Sequence, residues 1–303
     1  MRIFGFQEYG GPEVVQHLDV PRPQSRAHHL LIEMRAAGIN PADIKVRNGA
    51  RQNKFPVKFP MAVGREAAGV VLEAPADSPF QPGQLVFGGT ATGTGALAEF
   101  VLLDASQTAP IPAGLSPSQA ACIPVAFGTA WDALHELNLA KGSTLLVLGA
   151  GGGVGSAAVQ LAQSLDLNVV GVASSQKEEF LTNMGAKHVA YDRGDWLAQL
   201  ALSSDTYAGI IDAAGGDTLR ATSSLVPTGA IRSAASPALA EEYGGSGIRR
   251  RREGEIYKQL AEMMANDVIH ANITHSYPLD NAPLALAAVE TGHARGKTVV
   301  TNV

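Results

Sequence analysis

Apolar and polar positions follow two different rhythms along this chain. Through the first hundred residues the apolar runs are short, loosely alternating and separated by glycine and proline, so that residues 3–6, 29–34, 67–72, 84–87 and 95–103 read as strands. Gly10-Gly11-Pro12 and Gln81-Pro82-Gly83 mark turns, and Pro41 suits the first turn of a short helix. Short strands punctuated in this way predict a small, irregular barrel. At Ser116 the rhythm lengthens. Ser116-Pro117-Ser118-Gln119 has helix-opening chemistry, and a helical stretch is expected to about residue 139 with a break near Pro124. Beyond Lys141, apolar runs at 144–148, 168–173, 188–191, 208–212 and 230–234 alternate with helical patterns at 155–165, 177–184, 196–202 and 218–225. That alternation predicts a doubly wound parallel sheet with ligands at the carboxyl ends of its strands. After Ser236 it stops: an amphipathic helix is expected at 255–265, then a strand at 269–275, a helix at 280–290 and a strand at 298–301. The last pieces are expected to pair back with the barrel. The fold class is therefore α/β plus β, with domains at 1–122, 123–266 and a return at 267–303.

The rest of the chain is organised around the run from Leu145 to Gln163: a buried strand, a tight glycine turn, then a helix of small and apolar residues. The turn has the spacing GxxGxxG, at Gly149, Gly152 and Gly155. Glycine lets backbone approach a bulky anion, and the amides that open the helix present partial positive charge to it. Close helix–strand packing also selects glycine, but a strand before and a helix after point to the pyrophosphate of a dinucleotide. The next strand discriminates between cofactors. An NAD site places an acid near that strand's end for the ribose hydroxyls, whereas here Val172-Ala173-Ser174-Ser175-Gln176-Lys177 supplies two hydroxyls and an ammonium. These suit a 2′-phosphate, so NADPH is the expected cofactor. A helix-capping role for Ser174 is compatible with either cofactor.

Composition narrows the partners. Among 303 residues, 28 acidic against 23 basic side chains give a net charge of −5, which argues against nucleic acid or anionic membrane as partner. The run of four arginines at 249–252 has no interleaved aromatics and reads as a solvated surface or an ionic contact with acids. Cys122 stands alone and cannot form an internal disulfide, and it reads as a small core residue. No apolar run approaches the roughly twenty residues of a membrane span, and the first residues lack a signal-peptide core, so a cytoplasmic protein is expected.

Several stretches together resemble one family: Ala37-Gly38-Ile39-Asn40-Pro41-Ala42-Asp43, Gly95-Ala96-Leu97-Ala98-Glu99-Phe100, Thr129-Ala130-Trp131-Asp132-Ala133-Leu134, the glycine turn, and Tyr277-Pro278-Leu279 with Gly292-His293-Ala294-Arg295-Gly296-Lys297-Thr298-Val299-Val300. Over nearly its whole length the chain resembles the medium-chain dehydrogenase/reductase superfamily, on the zinc-free branch of the bacterial quinone oxidoreductases and zeta-crystallin. The resemblance implies a discontinuous GroES-like barrel as catalytic domain, a Rossmann domain, and a homodimer. It implies that Gly152, Gly153 and Val154 contact the pyrophosphate and that Ser174 and Lys177 hold the 2′-phosphate. Thr129 would sit near the nicotinamide half, and Ala214, Gly215, Ser233, Ala234 and Ala235 would line the ribose and nicotinamide. Relatives often have Tyr and then a basic residue where this chain has Asp192-Arg193, so either Tyr191 or Arg193 would touch the adenosine end.

No metal is expected. Zinc-dependent relatives carry a histidine between Gly and Glu where this chain reads Gly64-Arg65-Glu66, and the earlier cysteine position is Ala37. Without a metal to polarise it, the acceptor must be intrinsically electrophilic, a quinone or an α,β-unsaturated carbonyl compound. By resemblance Asn40 lies beside the nicotinamide, with Asp43 and Lys45 on the same turn as candidate catalytic residues. A surface ion pair that merely orders the loop is the competing reading of Asp43 and Lys45. Two rivals from other classes are an NADPH-binding sensor with little turnover and a methyltransferase-like binder of S-adenosylmethionine. The missing acid after the second strand and the barrel ahead of the sheet argue against the methyltransferase.

Overall fold

Leu145, Leu146, Val147 and Leu148 are completely buried, and they form the central strand of a six-stranded sheet in which every pairing is parallel. In the computed structural model, which describes residues 1–204, 206–292 and 294–302, the sheet runs Lys187–Ala190, Asn168–Ala173, Thr144–Leu148, Gly209–Asp212, Ile231–Ser233, Ser246–Gly247. In chain order that is 3-2-1-4-5-6, the doubly wound order whose direction reverses beside its first strand. Strands buried on both faces need continuous apolar sequence, and Val169, Val170, Val172, Ile210 and Ile211 supply it. The helix Gly153–Ser164 lies against this sheet with Ala157, Ala158 and Ala162 completely buried, and such small side chains allow close approach.

The chain divides into two compact units, one of Met1–Val125, Arg252–Asp267 and the segment from Ala271 onward, the other of Ala126–Arg251 and Val268–His270. The first is built on a mixed sheet in the order Ile273–Pro278, Lys297–Thr301, His29–Ile39, Glu66–Glu73, Leu85–Thr90, Phe100–Pro110. An added pairing of His29–Ile39 with Phe100–Pro110 closes it into a barrel. A smaller sheet of Val15–Asp19, Arg2–Phe6 and Met61–Ala62 flanks it. Residues distant in sequence share this core, among them Phe4, Ile32, Val71, Leu103, Leu286 and Val300. The helix Pro41–Arg47 follows Pro41 as expected, and Ser116 caps Pro117–Ala120 with its hydroxyl accepting from the Gln119 amide at 3.3 Å. The expected break at Pro124 is a single π-helical turn, Ile123–Phe127, ahead of the helix Gly128–Leu137.

Three expectations need correction. The strand expected at 95–103 is Phe100–Pro110, because Ala96 and Leu97 instead donate to the Val63 carbonyl in an irregular turn. The strand expected at 269–275 is Ile273–Pro278. The helix Gly254–Ala265, expected within a nucleotide-binding domain ending at 266, belongs to the barrel unit. Its apolar face packs on Phe100–Pro110, with Tyr257 and Phe87 ring centroids 6.5 Å apart. Amphipathic spacing predicts a buried face but not which sheet the face covers. His293 lies outside the described residues. Among those described, no helix is long and apolar enough to cross a membrane.

Candidate functional site

The glycine turn leaves the carboxyl end of the central strand. Gly149 has φ +71°, a left-handed conformation that favours glycine, and its amide donates to the Val172 carbonyl at 3.0 Å. Gly155 is glycine for a different reason: a Cβ there would run into the Gly149 carbonyl, so the helix could not pack so close. Gly152 caps Gly153–Ser164 without any side-chain hydrogen bond, and a Cβ on it would meet nothing nearer than the Gly149 oxygen at 3.6 Å. The amides of Gly153, Val154 and Gly155 thus form the first turn of a helix capped by bare backbone.

Across the switch point, Asp212 ends the next strand and is fully buried. Its Oδ1 accepts from the amides of Ala214 and Gly215 at 3.0 and 2.7 Å, and its Oδ2 from the Ser233 hydroxyl at 2.5 Å. Ser233 Oγ in turn accepts from the Ser236 amide at 2.8 Å. One carboxylate therefore fixes both loops that contain Ala214, Gly215, Ser233, Ala234 and Ala235. Sequence reasoning missed Asp212; the signal was an acid closing an otherwise apolar strand, a position where burial demands partners.

At the far side, the loop after Asn168–Ala173 brings Ser174, Ser175 and Lys177 together, with the stem of Lys177 lying against Gly151. The sequence shows no acid at this strand end, yet the fold supplies one. Asp192 accepts from the Ser175 amide at 2.8 Å and from its hydroxyl at 3.0 Å, and the amide bond leads in holding its carboxyl below the ordinary range. Tyr191 donates its amide to Ala173 and is exposed, while Arg193 pairs with Glu178 at 3.5 Å. Thr129 is buried at the start of Gly128–Leu137, and its Oγ1 accepts from Arg250 at 2.6 Å. Arg250 and Arg251 both hold the buried Asp132, at 3.2 and 2.7 Å, and the Arg249 amide donates to Glu136. The arginine run is thus largely an ionic contact with acids of one helix. A hollow lined by Thr144, Asn168 and Lys187 lies at the opposite, amino-terminal ends of the strands, away from the glycine turn.

The barrel unit holds a second cluster. Glu66, fully buried, accepts at Oε1 from Lys297 Nζ at 2.8 Å and from Asn40 Nδ2 at 2.7 Å, and at Oε2 from the Val125 amide at 2.7 Å. Lys297 also donates to Asn40 Oδ1 at 2.7 Å. Burial is the largest single influence on Lys297 and opposes its charge, but the acidic groups around it, Glu66 first, together outweigh burial and its pKa is raised. Asp43 is 2% exposed, which removes the surface ion pair as its role. Its Oδ2 accepts from the Asn40 amide at 2.8 Å, while its buried Oδ1 has no hydrogen-bond partner among the described residues. Burial pushes its carboxyl up to about 7 against the pull of Arg65, whose guanidinium lies 4.7 Å over the Phe55 ring. Lys45, half-buried on the same helix, is held below its ordinary range by burial and then by Arg51. The Cys122 thiol, buried and pushed up to about 12 mainly by burial, stays neutral. Asn40, Asp43, Glu66 and Lys297 are therefore brought together, the last two as supports that no local motif announces, whereas Lys45 lies two residues beyond Asp43 on a different face of the helix. Among the described residues, no group of three or more His, Cys, Asp or Glu side chains is placed to hold a metal ion.

Comparison with known proteins agrees with this geometry. Residues 26–113 match the alcohol dehydrogenase GroES-like domain family, and residues 184–300 the zinc-binding dehydrogenase family. The mitochondrial NAD(P)H oxidoreductase of cattle is 29% identical over all of this chain and 89% of its own length. A quinone oxidoreductase structure from Coxiella burnetii superposes with a TM-score of 0.90, at 28% identity over 100% of this chain and 99% of that one. A mycobacterial protein solved in complex with NADPH does so with a TM-score of 0.86, at 25% identity over 99% of each chain. With its closed barrel, its 3-2-1-4-5-6 sheet and its glycine turn, the chain belongs to the medium-chain dehydrogenase/reductase superfamily, on the quinone oxidoreductase branch.

Proposed function

We propose that the protein is an NADPH-dependent, zinc-independent reductase that delivers hydride to a quinone or an α,β-unsaturated carbonyl compound. One observation carries the reading: a bare-backbone helix N-terminus follows a glycine turn at the switch point of a doubly wound sheet. Gly152, Gly153 and Val154 would hold the pyrophosphate there, and Ser174, Ser175 and Lys177 the 2′-phosphate, with Tyr191 and Arg193 at the adenosine end. Thr129 and the loops fixed by Asp212 would flank the nicotinamide half. NADPH, when bound, supplies the hydride. The chain's own residues supply the rest. Asn40 spends one amide proton on Glu66 and keeps a second for an acceptor oxygen. Lys45 stabilises negative charge developing on that oxygen. Asp43 carries a proton near neutral pH beside an oxygen that no other group among the described residues uses, the condition for a general acid.

Stopped-flow oxidation of NADPH with a panel of quinones and enones tests the proposal. Turnover with at least one class is the expected result; bound NADPH with no turnover across the panel would overturn the enzymatic reading. The same proposal takes the protein to be a cytoplasmic homodimer without a nucleic-acid or membrane partner. Sedimentation equilibrium tests the dimer. Its net charge of −5 and the engagement of Arg250 and Arg251 by Asp132 support the absence of a nucleic-acid partner.

A further inference from the structure

We infer that Glu66 and Lys297 are positioning residues for the reduction: together they lock the Asn40 side-chain amide in one orientation, so that the acceptor's carbonyl oxygen meets an N–H and never the amide oxygen. The inference rests on the reductase reading, in which Asn40 donates to that oxygen. Strand register brings the three residues together within the barrel unit. Thr298 pairs with Ile39 and Glu66 with Gly38, which sets Lys297 and Glu66 on either side of the strand end that leads into Asn40. Glycine at position 38 leaves room for the carboxylate, since a Cβ there would run into Glu66 Oε1 and the Ala121 carbonyl.

The hydrogen bonds leave the amide no second way to turn. An ammonium only donates and an ionised carboxylate only accepts. Lys297 Nζ donates to Asn40 Oδ1 at 2.7 Å, and Asn40 Nδ2 donates to Glu66 Oε1 at 2.7 Å. Half a turn of the amide would set its oxygen against the carboxylate and its protons against the ammonium, so two charge-assisted bonds would become two repulsions. The neighbours are themselves fixed. Lys297 also donates to Glu66 Oε1 at 2.8 Å and to the Ile39 carbonyl at 3.4 Å, and Glu66 Oε2 accepts from the Val125 amide at 2.7 Å. The backbone of Asn40 is tied down as well, its amide donating to Asp43 Oδ2 at 2.8 Å and its carbonyl accepting from the Asp43 amide at 2.9 Å. What remains for the acceptor is the second Nδ2 proton. When hydride adds to a quinone or an enone, the displaced electron pair ends on the carbonyl oxygen. An N–H held in place stabilises that charge without reorganising. An amide free to turn would present its own oxygen part of the time and repel the same charge.

Glu66→Gln combined with Lys297→Met releases the lock, because a glutamine side chain accepts or donates equally well and methionine donates nothing. In steady-state kinetics with NADPH and 1,4-naphthoquinone, this paired variant should lose kcat about tenfold or more with KM within about twofold, since the N–H acts on charge that develops only in the transition state. Asn40→Ala should lose about a hundredfold, and adding the pair to it should cost nothing further, because the pair acts through Asn40. Losses that multiply, or a paired variant with wild-type kcat, overturn the inference. If the wild type binds NADPH yet turns over neither quinones nor enones, the reductase reading falls, and a second measurement decides the lock by itself. In protein labelled with 15N at asparagine, the Asn40 side-chain signal is identified by its loss in Asn40→Ala. One Nδ2 proton should lie far downfield and exchange slowly with solvent, and both properties should vanish in the paired variant. Two ordinary proton shifts in the wild type overturn the inference, a result that stands even if the paired variant fails to fold.

Discussion

The glycine cradle and the buried charge cluster are built on opposite plans. The cradle is seven contiguous residues, 149–155, made of backbone, with its electrostatics supplied by amide dipoles. The cluster is made of side chains, carries full charges, and joins Asn40 to Lys297 across 257 positions of sequence. A backbone site fails when an atom is added to it. A buried ionic site fails when an atom is removed, because the partner left behind keeps its charge in a medium that cannot solvate it.

That difference is tested most severely at Lys297. Lys297→Met leaves Glu66, fully buried, without its cation, and should destabilise the protein by about 3–5 kcal/mol in urea unfolding. Adding Glu66→Gln should recover much of the loss, since the penalty is an unpaired charge and not the missing contact. If the single and double variants unfold alike, the pair does not act as a unit.

Asp43 gives the next largest effect and one that depends on pH. Its carboxyl is raised from 3.8 to about 7 in the folded protein, so between those values the native state binds the extra proton. Stability contributed by this group therefore falls as pH rises through that window and is flat above and below it. The loss reaches about 4 kcal/mol by pH 8, at 1.36 kcal/mol per unit. Asp43→Asn keeps an acceptor for the Asn40 amide but removes the titration. It should be more stable than wild type at pH 8 and level with it near pH 4. Parallel stability curves for the two proteins would rule out a raised Asp43.

The same contrast explains what the sequence could reveal. The cradle was legible because its cause is local: strand, turn and helix lie within twenty residues, and the strand Thr144–Leu148 ends where its apolar run ends. Asn40, Asp43 and Lys45 were legible only as a resemblance, since nothing local says that Asp43 would be buried with a bare oxygen. Glu66 and Lys297 were not legible as partners, because register across Glu66–Glu73, His29–Ile39 and Lys297–Thr301 brings them together. Asp192 escaped for the same reason: it lies seventeen residues beyond Ser175 and reaches it only because their strands are parallel neighbours.

Within the cradle, two glycines should separate fold from function. Gly155→Ala drives a methyl into the Gly149 carbonyl, which should cost roughly 1–3 kcal/mol of stability and weaken NADPH about tenfold. Gly152→Ala meets only an ordinary 3.6 Å contact, so stability should hold while NADPH binding is lost to a side chain standing where the pyrophosphate would lie. Thermal melts and isothermal titration of the pair distinguish these outcomes. Equal destabilisation by both would mean that the turn is packing alone.

The smallest effect tests whether the adenosine end obeys the cradle's rule or the cluster's. Asp192 is an exposed carboxylate that accepts from the Ser175 amide and hydroxyl, beside the place proposed for a 2′-phosphate. If it acts as a charge, Asp192→Asn keeps an oxygen for Ser175, removes a repulsion, and should tighten NADPH by roughly threefold at low salt with little change for NADH. The gain should fade as salt is raised. Lys177→Ala should move the ratio of NADPH to NADH affinity in the opposite direction, by about tenfold. If Asp192→Asn weakens NADPH instead, the carboxylate serves by aiming Ser175, and the site's preference is set by backbone placement, as in the cradle, and not by the sum of nearby charges.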